Sequence, residues 1–206
     1  MHLLEHITER GERSWAWFSQ RAHSQHAKMW LAILSFLEPI ISPIVPETLM
    51  VAMLLAGSND RRWKAYAALT TAFSFLGGLV GYGIGMLAFY YFGEGLLAYF
   101  GLGDLHAQAQ FLLGGSIFVV MFFVTFTPLP DKVFTILSGF FGVPLLPYAV
   151  GFLAGRALRF TLVAYMVHRM GPRILDVLNR YFLWVAVAVL VLGIIYGMVR
   201  FNVLGL

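Results

Sequence analysis

The chain has no cysteine, which excludes a disulfide framework, a thiol nucleophile and a thiolate metal site. Charge is also scarce. Charged residues fill 12% of the 206 positions, against roughly 25% in soluble domains. No hydrophilic block is long enough for a separate soluble domain, so function has to be sought in the apolar region. Histidines sit at its margins: His2, His6, His23 and His26 in the polar start of the chain, His106 in a loop and His168 at the end of an apolar stretch. A hydrolase needs a nucleophile and base within reach, and a catalytic metal needs clustered histidines and acids. Neither pattern occurs, so no enzyme activity, catalytic residue, metal or cofactor is expected. Basic residues interleaved with aromatics are also missing, and nucleic acid is not an expected partner.

What remains is apolar. Hydrophobic residues reach 60% of the chain, against roughly 45–50% in soluble domains. The net charge of +4 reads as lysine and arginine in cytoplasmic loops. The expected organisation is a polar segment, 1–28, followed by one membrane domain, 29–206. Within the first segment Leu4, Ile7, Gly11, Trp15, Phe18 and Ala22 recur at helical spacing opposite the charges. This predicts an amphipathic helix, lying in the headgroup layer or packed on its own protein. The apolar core and cleavage site of a signal peptide are missing, so no processing is expected.

Four apolar stretches follow, 30–57, 65–92, 111–168 and 181–200. The first linker holds Arg61, Arg62 and Lys64, and the third holds Arg169, Arg173 and Arg180. Between them, 93–110 has Glu94 and Asp104 but no lysine or arginine. By the positive-inside rule the first and third linkers and the N-terminus are cytoplasmic, and 93–110 is an outer loop. Stretch 30–57 must then enter and leave on one side, as a re-entrant hairpin. Its Pro39, Pro43 and Pro46 suit this, because a helix interior tolerates proline poorly. The same counting makes 111–147 a second hairpin, entering from outside and turning at TPLPDK with Pro128 and Pro130, followed by a crossing at 148–168. A last crossing, 181–200, reads as an anchor.

The predicted fold is therefore an all-α membrane protein, an inverted repeat of re-entrant hairpin plus transmembrane helix, with an N-terminal amphipathic helix and a C-terminal transmembrane helix. Inverted repeats are characteristic of transporters, in which broken helices line a polar cavity near the midplane. Glu47 to Tyr66 and Asp131 to Tyr148 are similar spacings, and each span has a glycine ladder, Gly77, Gly81 and Gly85 in one, Gly151 and Gly155 in the other. The ladders read as helix-packing positions.

Glu38, Glu47, Asp131, Lys132, Arg156 and Arg159 are ionisable residues within apolar stretches. At a helix centre each costs about 2.5 to 3.5 kcal/mol even on the lenient insertion scale. Arg156 and Arg159 share a helix side, and Glu47 and Asp131 at the hairpin tips are their candidate counter-ions, with Glu38 behind them. The cluster reads as a binding site for a phosphate-headed amphiphile and for protons, or as ion pairs that pin the tips for folding.

The motifs LEPIISPIVPE, GGLVGYGIG, TPLPDKVFTILSG and GFLAGRALRF, in this order over residues 30–170, resemble the DedA family, also called the VTT or SNARE-associated domain family. The resemblance implies facing re-entrant hairpins in a multi-pass inner-membrane protein that moves phospholipid or undecaprenyl phosphate between leaflets, as a transporter or scramblase, in some members with proton coupling. Many bacterial members carry R-F-x-P-x-x-R at the second hairpin. Here Thr125 and Asp131 occupy the arginine places, a departure that resembles the YqaA-like branch. The lipid is left open by this departure, and Lys132, Arg156 or Arg159 is expected to supply the positive charge. A structural or assembly protein supporting the envelope is the alternative, with an intramembrane enzyme ranked behind it. The sequence also leaves open direction, energy source and oligomeric state, a homo-oligomer included.

Overall fold

The computed structural model describes residues 26–41, 45–56, 62–93, 116–127 and 131–171, with Gly95 and Tyr99. The expected N-terminal amphipathic helix, most of the outer loop, the crossing at 181–200 and Pro43, Pro128 and Pro130 lie outside the described residues. Among the described residues the chain is all helical, with two helices long and apolar enough to cross a membrane.

Helices α1, Ala27–Leu37, and α2, Pro46–Ala56, have 11 residues each. Pro39 ends α1: it has no N–H for the carbonyl four residues back, so the regular ladder is broken after Glu38, whose N–H reaches Leu34 O at 3.0 Å, and the chain leaves through a turn in which the Ile40 and Ile41 N–H groups both reach Leu37 O, at 3.1 and 2.9 Å. Pro46 then opens α2, a position where proline's fixed φ helps and its missing N–H costs nothing. Helix α3, Trp63–Ala88, runs for 26 residues and continues as a π-helical turn over Phe89–Gly93.

The second half has the same grammar. Helices α4, Ile117–Phe126, and α5, Asp131–Phe140, have 10 residues each, and α6, Leu145–Met170, has 26. Thr127 caps α4 in extended conformation, φ −88° and ψ 164°, as expected of a residue that precedes proline. Gly142, at φ 61°, closes α5: the Val143 N–H reaches back to Ser138 O and the Gly142 N–H to Gly139 O, both at 3.1 Å. Such a closure needs a left-handed residue after the helix. This stop shifts two expected boundaries. Helix α6 starts at Leu145, not at 148, and the second broken pair ends before 147.

The long helices run antiparallel. Tyr82 meets Tyr148 with ring centroids 4.9 Å apart, the Tyr148 hydroxyl donates to Gly78 O at 2.9 Å, and Trp63 meets Tyr165 at the other end, at 5.6 Å. Each broken pair divides its limbs between them. Helix α1 packs on α3 and α2 on α6, while α4 packs on α6 and α5 on α3. Buried apolar residues gather around Leu31, Leu49, Met50 and Ala67 on one side and around Ile117, Met121, Tyr148 and Phe152 on the other.

The glycine ladders make these contacts possible, as the spacing predicted. A methyl on Gly77 would strike the Phe36 carbonyl, one on Gly85 the Ile136 carbonyl, and one on Gly139 of α5 the Tyr82 carbonyl; Gly151 and Gly155 meet Phe118 and Thr125 of α4 likewise. All but the Thr125 contact are with backbone, which cannot rotate away. Gly139→Ala is therefore expected to cost about 1–3 kcal/mol, the usual penalty for overpacking. Heating the purified protein in detergent and following its loss of monodispersity checks this, with the open position Gly83→Ala as the control.

Candidate functional site

The two helix breaks meet at the middle of α6. Arg156 is the twelfth of its 26 residues and only 1% exposed. Phe152 and Phe160, one turn before and after, place their ring centroids 5.5 and 5.4 Å from the guanidinium carbon. The aromatic faces hold the cation and keep water from it. Arg156 Nη2 donates to Asp131 Oδ2 and lies 2.6 Å from Glu38 Oε2. The Glu38 contact is an ion pair without hydrogen-bond alignment, and Glu38 Oε2 and Arg156 Nε are both buried with no hydrogen-bond partner.

One turn on, Arg159 forks Glu47. Its Nε donates to Oε1 and its Nη2 to Oε2 at 2.9 Å, while Nη1 donates to the Thr127 carbonyl at 2.6 Å. This is the paired geometry that guanidinium offers carboxylate and phosphate alike. The Glu47 and Arg159 side chains are each 12% exposed, so this pair is less dry than that of Arg156. Each arginine thus binds one group from each broken pair: Glu38 and Asp131 for Arg156, Glu47 and Thr127 O for Arg159.

Local structure favours these positions. Glu47 and Asp131 fall in the first turns of α2 and α5, where the unpaired N–H groups of a helix start stabilise a negative charge. Arg159 approaches the last carbonyls of α4, where a cation is favoured. Glu38 caps the end of α1, the unfavourable end for an anion, and Arg156 offsets that.

All six expected site residues are described, and five of them converge. Lys132, half-buried beside Asp131, does not take part in the three ion pairs. The expected pairing of Arg156 and Arg159 with Glu47 and Asp131 holds, but Glu38 is a direct partner of Arg156 rather than a reserve behind the tips. Sequence reasoning missed the Thr127 carbonyl and two buried hydroxyls without partners, Ser74 and Thr135. Ser74 could have been found from its spacing, since Thr70, Ser74, Gly77, Gly81 and Gly85 line the buried side of α3. Among the described residues no group of three or more histidines and acids is arranged to hold a metal ion.

The chain is similar to an uncharacterized protein of Haemophilus influenzae, 29% identical over 82% of this chain and 86% of that one. It is also similar to an uncharacterized protein of Histophilus somni, 27% identical over 87% of this chain and 93% of that one. No family model matches the chain, and no solved structure does.

Proposed function

We propose that the chain is a membrane lipid transporter or scramblase of the DedA type, moving a phosphate-headed lipid between leaflets through the cluster around Arg156 and Arg159. The observation that carries this reading is a set of five buried or nearly buried ionic side chains: two arginines at the middle of a helix long enough to cross a membrane, and three carboxylates brought to them by two interrupted helix pairs. Ionisable groups at membrane depth are expensive and mark transport paths by default. The division of each pair's limbs between α3 and α6 supports an inverted repeat of re-entrant hairpin plus span, with the breaks facing each other. On this topology the N-terminus is cytoplasmic and the protein crosses the inner membrane several times.

The chemistry is an exchange of anions. A headgroup phosphate offers Arg159 the same fork that Glu47 occupies, and the displaced carboxylate takes up a proton, so the site keeps its charge while the lipid passes. Arg156 Nε, buried without a hydrogen-bond partner, is a further donor in the cluster.

Reconstitution tests the proposal. Vesicles containing the protein are expected to move fluorescent phospholipid or labelled undecaprenyl phosphate between leaflets at least tenfold faster than protein-free vesicles, about the effect of 1.4 kcal/mol on a barrier. Equal rates with and without protein would reject it. Rates that do not change with pH would remove the proton from the exchange.

A further inference from the structure

A second polar cluster lies where the start of α3 meets the end of α6. The Trp63 ring stacks on His168, with centroids 5.7 Å apart and planes 26° from parallel, and tilts against Tyr165. Lys64 Nζ lies 5.5 Å from the Trp63 ring centre, and the Arg169 guanidinium carbon 5.8 Å from that of Tyr165, whose hydroxyl accepts from Arg169 Nε at 3.2 Å. Lys64, Tyr165 and Arg169 are exposed, as is neighbouring Arg62.

Two cations from different helices thus each stand over one of two neighbouring rings. A ring face orients a cation without consuming most of its hydrogen-bond donors. The described carboxylates do not neutralise them, because Glu38, Glu47 and Asp131 are all engaged by Arg156 and Arg159. Two oriented cations without a described counter-ion suit an anion with several acceptor oxygens.

We infer that this cluster docks the headgroup of an anionic phospholipid, with Lys64 and Arg169 on the phosphate and the Trp63 and Tyr165 rings against the glycerol and upper chains. A lipid is favoured over free phosphate because Leu158, Leu162 and Tyr165 form an exposed apolar stripe, at helical spacing, that leads to the cations. An acyl chain can follow that stripe; a free ion has no use for it. The site rests on α3 and α6 crossing a bilayer and is separate from the translocation cluster.

Native mass spectrometry of the full chain in neutral detergent, titrated with phosphatidylglycerol, phosphatidylcholine or inorganic phosphate, tests this. Phosphatidylglycerol is expected to bind about tenfold or more tightly than phosphatidylcholine, since each cation near a headgroup contributes appreciably. The Lys64→Gln, Arg169→Gln double variant should lose that preference, and the charge-keeping Lys64→Arg, Arg169→Lys variant should retain it. Equal binding of the two lipids, a preference that survives in the glutamine variant or is lost in the charge-keeping one, or displacement of bound lipid by millimolar phosphate would each overturn the inference. Absent lipid movement with this preference intact would reject the transport reading and leave the docking site standing.

Discussion

Arg156→Gln is expected to lower stability by about 3 to 5 kcal/mol, the usual consequence of removing one partner from a buried ion pair. Its guanidinium is the counter-ion of both Asp131 and Glu38, so the substitution leaves two carboxylates facing each other in a dry site. Repulsion between them adds to the lost attraction. Asp131→Asn or Glu38→Gln alone should cost less, because the arginine keeps one carboxylate. Combining Arg156→Gln with both carboxamide changes should recover at least half of the loss, because the uncompensated charge is then gone. Thermal unfolding in detergent ranks the four proteins. An Arg156→Gln protein as stable as the wild type would mean that the cluster is hydrated and its ion pairs weak.

Glu47→Gln is expected to act chiefly on transport. Glutamine at this position keeps one acceptor but turns an amide donor toward the guanidinium, so one arm of the fork is lost. Partial exposure lets water replace that arm, which limits the effect on folding. Translocation has no such relief, because the carboxylate is the anion that yields Arg159 to the headgroup and reclaims it. Losing one charged hydrogen bond at that step, about 1.5–3 kcal/mol, slows movement by roughly ten- to a hundredfold. The stability of this variant should stay above that of Arg156→Gln.

The prolines and acids made the helix breaks legible in the sequence. Pro39 and Pro46 bracket the first interruption, Thr127 takes the extended conformation that a following proline demands, and Glu47 and Asp131 open the helices that come next. Arg156 and Arg159 could be recognised as charges too deep in an apolar helix to reach a surface. Their pairing was less legible. Spacing fixes the order of residues along one helix but not the rotation of one helix against another, so Glu38 could not be ranked beside Asp131. The Thr127 carbonyl was invisible for another reason, since any residue type offers one. Exchange of limbs between the halves, α2 onto α6 and α5 onto α3, depends on contacts distant in the chain and leaves no local mark. The start of α6 at Leu145 rather than Tyr148 follows from the stop made by Gly142 and from Pro144, which precedes the helix.

Ion pairs that only hold the helix breaks together and ion pairs that also pass a headgroup make different demands on Glu47. The direct measurement is the rate of fluorescent phospholipid movement in vesicles containing the wild type or Glu47→Gln, each expressed per folded molecule. Lipid transport through the cluster predicts rapid movement with the wild type and a rate at least tenfold lower with the folded variant. The same rate per folded molecule in both would contradict it and leave the cluster a structural clasp.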